Sequence, residues 1–192
     1  MATDTRERLV LASAGLLQRQ GLAATGIKQI LAQAGAPFSS LYHHFPGGKD
    51  ELAAEAIRIS GAGFQHLVEG VWDAAPDVTA AVRAVFDGAA QTLQATGYAD
   101  ACPIATVALE VASTNEQLRL ATADVFEAWT HAAASRLTDA GSTPADARST
   151  AQVVIALLEG AFILCRATKS IEPMHAAGQA AIAAVRDACE TE

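Results

Sequence analysis

Between residues 27 and 45 two short apolar patterns flank a glycine, and this arrangement restricts the stretch to two helices meeting at a sharp turn. Ile27, Ile30, Leu31 and Ala34 recur at i, i+3, i+4 and i+7, the stripe of an amphipathic helix. Gly35 stands where a helix stops most easily on a left-handed residue, and Thr25 is placed to cap the start. Beyond the turn, Leu41 and Phe45 form an i, i+4 apolar pair that can pin a second helix onto the first, leaving Phe38, Ser39, Tyr42 and His43 on other faces. Two short helices about a Gly-containing turn make a helix-turn-helix. That spacing is common in ordinary all-α domains, so the side chains of the second helix carry the functional content. Short polar or apolar groups suit base edges in a DNA groove, and hydroxyls or cations suit phosphates.

The rest of the chain reads as helices punctuated by Gly and Pro. A first helix runs from about Asp4 to Gln20 and stops at Gly21, with Leu9, Ala12, Leu16 and Leu17 inward. Pro46-Gly47-Gly48 ends the second helix of the pair, and Lys49-Asp50-Glu51-Leu52 opens a long fourth helix to Trp72, broken by Ala75-Pro76-Asp77. Further helices are predicted over 78–94, from Cys102-Pro103 to Val111, from Asn115 or Glu116 to Asp139, from Pro144 to Thr168 and from Glu172-Pro173 to Cys189. With half the residues hydrophobic and only 5% aromatic, alanine-rich helices are favoured over sheets. The expected fold is all-α with about nine helices: a three-helix helix-turn-helix module over 1–47 fused to a helical bundle over 48–192.

Charge divides along the same line. The first fifty residues carry five basic against three acidic side chains, a net of +2, and the remainder eight against eighteen, a net of −10. A mildly basic end on an acidic body suits a selective nucleic-acid contact while the body repels non-specific polyanions. Cys102, Cys165 and Cys189 are odd in number and lack metal-ligand spacing, which favours buried, reduced thiols over disulfides or a zinc site; a redox-sensing role for one of them stays open. No unbroken apolar run reaches the eighteen or so residues of a membrane helix, and the first eight residues lack a signal peptide's apolar segment, so a cytoplasmic protein with no membrane partner is expected.

Catalysis finds no support. His43 and His44 are neighbours about 100° apart around a helix and cannot share one metal. Phosphate loop, nucleophile elbow and paired-carboxylate motifs are missing, and no catalytic residue, metal or cofactor is implied. Glu110 and Glu159, mid-helix among apolar residues, are read as solvated or hydrogen-bonded carboxylates, with a pocket role as the alternative.

Leu41-Tyr42-His43-His44-Phe45, followed by Gly48-Lys49-Asp50-Glu51-Leu52, resembles the Leu-Tyr-x-His-Phe…Lys-x-x-Leu signature of TetR-type transcriptional repressors. The run from Leu9 through Gly21 to Thr25 and Ile27 is similar to that family's entry into the motif, so the resemblance spans residues 6–52. The stretch around Ala36-Pro37 and the later Cys102-Pro103-Ile104-Ala105 look like the LmrA/YxaF-type branch, whose members repress multidrug-efflux or enzyme operons. Two departures stand out: Pro37 replaces the usual Ser or Thr cap, and Phe38-Ser39 replace a charged residue and Gly. A Phe there favours a thymine methyl over a hydrogen bond to guanine.

The resemblance implies a homodimeric repressor on a palindromic double-stranded operator, released by a small hydrophobic or aromatic effector. Side-chain chemistry makes Phe38, Ser39 and His43 the base-edge candidates, and the resemblance implies backbone-phosphate contact for Ser40, Tyr42 and His44, with Thr25, Lys28 and Lys49 placed to clamp the flanks. Its effector cavity lies among the later helices, where Phe64, Leu67, Phe86, Gln91 and Thr106 are candidate walls together with Val107, Glu110, Phe126, Trp129 and Phe162, and also Trp72. Periodicity marks one further stripe, Ala151, Val154, Leu158, Ala161 and Cys165 on the eighth helix with Ile182 and Val185 on the ninth. It can pack within its own chain or against a second one, and the resemblance favours dimerisation. A helical dimeric small-molecule-binding or protein-interaction module without sequence-specific DNA binding is the alternative from another class.

Overall fold

The computed structural model describes residues 4–190, so the first three and last two residues of the expected domains lie outside it. Among the described residues there are nine helices and no strand: α1 (Thr5–Gln20), α2 (Ile27–Ala34), α3 (Phe38–His44), α4 (Gly48–Ala74), α5 (Val78–Ala95), α6 (Pro103–Val111), α7 (Glu116–Asp139), α8 (Pro144–Thr168) and α9 (Glu172–Cys189). Local chemistry sets most ends. Gly35 closes α2 in the left-handed region at φ 60°, and its N–H and that of Ala36 satisfy carbonyls of the last turn. Asp77 accepts the Ala80 N–H at 2.8 Å to cap α5, and Thr143 accepts that of Asp146 ahead of Pro144 in α8. The cap expected of Thr25 falls instead to Gly26, because Thr25 is only 1% exposed and its hydroxyl donates to the Gly21 carbonyl at 2.5 Å.

The chain forms two compact units that do not follow a boundary at residue 47. The first combines the chain up to Gly63 with Cys102–Val125, and the second combines Phe64–Ala101 with the chain from Phe126 onward. Helices α4 and α7 therefore each contribute residues to both units. In the first unit α1 packs on α2, α3 and α6, with Leu9, Leu17, Ile30, Leu41, Phe45 and Leu52 almost wholly buried. In the second, α9 packs along α5 and α8 around Val82, Phe86, Leu93, Leu158, Met174 and Val185.

That second core corrects the proposed dimer stripe. Ala151, Leu158, Ala161, Cys165, Ile182 and Val185 are all buried inside their own chain, and Val154 packs against the same cluster. The opposite side of α8 is exposed and apolar, with Val153, Ile163 and Leu164 at 43%, 54% and 55% exposure. A helix apolar on two sides gives two stripes at similar spacing, and periodicity does not say which one faces the home core. The same composition makes α8 the apolar extreme of the chain, although Glu159 interrupts its apolar run. Helix α8 is long and apolar enough to cross a membrane by length and composition, at mean hydropathy 1.6, with 22% of its most apolar window buried.

Candidate nucleic-acid interface and effector cavity

Helix α3 is seven residues long and is held by one of its own residues and by the residue that follows it. Leu41 and Phe45 are each 1% exposed, which turns the remaining positions outward. Phe38 and Tyr42 are 58% and 50% exposed, their rings 6.0 Å apart and tilted, and Ser39 and His43 are exposed beside them. Ser40 and His44 are half-buried, the His44 ring lying edge-on to that of His43 at 4.8 Å. Two large aromatic surfaces left in water on a seven-residue helix mark a contact face. Pro37 stands at the N-cap position and offers no side-chain acceptor, and its carbonyl accepts the Ser40 N–H at 3.0 Å instead.

The flanking residues divide. Lys28 on α2 is exposed, whereas Thr25 is buried and its hydroxyl engaged, so the structure removes Thr25 from the exposed surface. Lys49 donates to the Leu22 carbonyl at 2.7 Å, tying the start of α4 to the turn between α1 and α2. Arg6 pairs with Glu55 at 2.9 Å and lies over the Phe45 ring, and Arg8 donates to the Ala34 carbonyl at 2.9 Å, at the negative end of α2. Much of the basic charge counted in the first fifty residues thus holds the module together.

Glu110 of α6 completes that bracing. Its carboxylate accepts the N–H groups of Leu22 and Ala23 at 3.1 and 2.7 Å, two donors left open where α1 ends. Gly21 makes room for it: the residue sits at φ 76°, and a Cβ there would stand 1.9 Å from a Glu110 carboxylate oxygen. Asn115 adds a hydrogen bond to Asp50 at 2.7 Å. The fixed α1–α2 turn sets where α2, and with it α3, begins.

A cavity of about 690 Å³, its open mouth included, lies wholly within the second unit among α4, α5, α7 and α8. Of the expected walls, Phe64, Trp72, Phe86 and Trp129 line it, the Phe64 and Trp129 rings 4.9 Å apart. Phe126 supports Trp129 edge-on at 5.7 Å without lining the cavity, and Phe162 packs against the neighbouring core. Leu67 is 64% exposed, and Gln91 is exposed, so neither contributes. Thr106, Val107 and Glu110 belong to the other unit: Val107 is fully buried, Thr106 donates to the Cys102 carbonyl at 2.8 Å, and Glu110 holds the α1–α2 turn. The polar lining comes instead from Gln65, Glu69, Arg136 and Glu159. The signal for these was their helical register with the aromatics, Gln65, Glu69 and Trp72 on α4 and Trp129, Ala133 and Arg136 on α7.

Two of the three thiols are quiet. Burial pushes the Cys165 and Cys189 thiols up from the ordinary range, Glu190 adding to the effect at Cys189, which keeps both protonated and weakly nucleophilic at neutral pH.

Comparison with known proteins agrees with this geometry. Residues 9–56 match the model for bacterial regulatory proteins of the tetR family, and residues 78–180 match that for the C-terminal domain of LmrA/YxaF-like transcriptional regulators. The uncharacterized HTH-type transcriptional regulator YxaF of Bacillus subtilis is 32% identical, over 89% of this chain and 90% of that protein. The HTH-type transcriptional regulator LmrA of the same organism is 30% identical, over 89% and 91%. A TetR regulatory protein from Rhodobacter sphaeroides shares the fold with a TM-score of 0.82 at 21% identity, covering 92% of this chain and 96% of that one. With its exposed α3 and its LmrA/YxaF-like C-terminal half, the chain belongs to the TetR family of transcriptional regulators, which bind operator DNA as homodimers and are not enzymes.

Proposed function

We propose that this regulator is a cytoplasmic repressor that grips a palindromic operator with two α3 helices and releases it when a small hydrophobic or aromatic molecule fills the cavity of each second unit. The observation that carries the reading is the division of α3, with Leu41 and Phe45 buried and Phe38, Ser39, Tyr42 and His43 outward. In this reading Phe38, Ser39 and His43 meet base edges, while Ser40, Tyr42, His44 and Lys28 meet phosphates. Residues 1–47 act as the DNA-binding domain and 48–192 as the effector and dimerisation domain. One such helix reads too few bases to be selective, so two heads must reach successive major grooves about 34 Å apart.

The second copy is placed on the exposed side of α8. Val153, Ala156, Gly160, Ile163 and Ala167 alternate spacings of three and four, and Ala176, Ala180 and Ala183 are exposed on α9, small enough for close helix approach. Repression and release are then one coupling free energy. An effector that weakens operator binding about 5- to 150-fold supplies about 1–3 kcal/mol, and operator must weaken effector binding by the same factor. An efflux or detoxification operon is the target this reading favours.

Footprinting and gel shifts on the chain's own upstream region test it. A two-fold symmetric footprint is expected, with Tyr42→Ala weakening all operators alike and Phe38→Ala or Ser39→Ala changing which bases are tolerated. A helical dimer that binds effector but shifts no duplex beyond non-specific, salt-sensitive binding would overturn the reading.

A further inference from the structure

The cavity of the second unit is apolar and aromatic over most of its wall but acidic at two points. Glu159 of α8 lines it with a carboxylate whose Oε2 is buried. Glu69 of α4 lines it nearer solvent, its side chain 34% exposed, with Gln65 at 2.8 Å and His66 at 3.2 Å on its carboxylate. Those two hydrogen bonds hold the Glu69 carboxyl below the ordinary carboxylate range. The basic residue on the wall is Arg136, and Asp73 takes its guanidinium at 2.5 Å. A charged guest in this space therefore meets two carboxylates and an arginine already paired with an acid.

Resting on the effector reading above, we propose that the cavity selects lipophilic organic monocations, with Glu159 as the main counter-charge, Glu69 as a weaker one, and Trp72 and Trp129 as aromatic neighbours on the same wall. A carboxylate taken out of water recovers its lost solvation when a cation fills the space beside it, and aromatic faces attract the same cation. An anion of equal size gains the apolar contacts but is repelled by both acids. Delocalised charge under an apolar shell is the ligand chemistry that satisfies wall and carboxylates together.

Both tryptophans of the chain line this cavity, so intrinsic fluorescence reads its occupancy directly. The full-length protein is titrated with tetraphenylphosphonium and with tetraphenylborate, a cation and an anion of matching shape, and operator binding is followed in parallel by gel shift. The phosphonium is expected to bind at least about tenfold more tightly, a difference of about 1.4 kcal/mol. Glu159→Gln is expected to lose about tenfold in phosphonium affinity without weakening the borate, Glu159→Asp to keep the preference, and Glu69→Gln to lose about two- to threefold. Equal binding of the two ions, tighter borate binding, no fluorescence response to either, or an unchanged preference in Glu159→Gln would each overturn the proposal. Release of operator by the borate or by a neutral aromatic alone overturns cation selection while the effector reading stands. Glu159-dependent phosphonium binding that leaves operator affinity unchanged supports the cation site and defeats the effector reading.

Discussion

The two units of this chain both pack an apolar core but differ in what accompanies it. The first fixes its backbone with directional polar bonds that converge on one turn: Glu110 on the Leu22 and Ala23 N–H groups, Lys49 on the Leu22 carbonyl, Thr25 on the Gly21 carbonyl. The second relies on an apolar core among α5, α8 and α9, and beside it keeps a cavity and an exposed apolar helix face. A reading head has to present α3 in one position, and short charge-assisted bonds specify position more sharply than apolar contact does. Under the proposed function the second unit has to admit an effector, and leaving space between aromatic side chains forgoes packing that a pure scaffold would keep.

Breaking the packing of each unit should show the difference most strongly. Phe45→Ala removes a fully buried ring from the first unit and should cost about 3–5 kcal/mol, melting the head by hydrogen exchange. Phe64→Ala, at a half-buried residue beside a cavity, should cost less than half of that by thermal denaturation. Equal losses would mean that the cavity is closed and packed in solution.

The two sides of α8 separate next. Leu158→Glu places a charge in the home core and should unfold the second unit, whereas Ile163→Glu with Leu164→Glu should leave helicity unchanged and yield monomers by sedimentation. A dimeric Ile163→Glu/Leu164→Glu protein would move the interface off this face.

Smaller again is the α1–α2 turn. Glu110→Ala leaves two backbone N–H groups without their carboxylate and should destabilise the head by about 1–3 kcal/mol, weakening operator binding while the fluorescence of the second unit is unchanged. Gly21→Ala should do at least as much, because its positive φ and the nearby carboxylate both oppose a Cβ.

The thiols should give the least. With burial raising both, Cys165 and Cys189 should alkylate more slowly than a free thiol at pH 7.5, and the rate should climb only above the ordinary thiol pKa. Release of operator by peroxide in a Cys102→Ser protein would contradict that expectation.

Sequence alone determined the helices and the reading head. Gly21, Gly35, Pro144 and Pro173 act through backbone geometry that needs no neighbour, so ends of α1, α2, α8 and α9 could be placed from them. Leu41 and Phe45 sit four residues apart, on and just after a helix too short to bury more than one side, which left Phe38, Ser39, Tyr42 and His43 outside. Tertiary structure decided every question of which of two plausible faces is used. Helix α8 is apolar on both sides, so only its packing against α5 and α9 showed that Ala151, Leu158 and Cys165 belong to the home core and that Ile163 and Leu164 face out. Glu110 and Glu159 have similar sequence surroundings, yet one meets the N–H groups of the α1–α2 turn and the other lines the cavity, because a carboxylate's role is set by donors and dielectric supplied from distant parts of the chain.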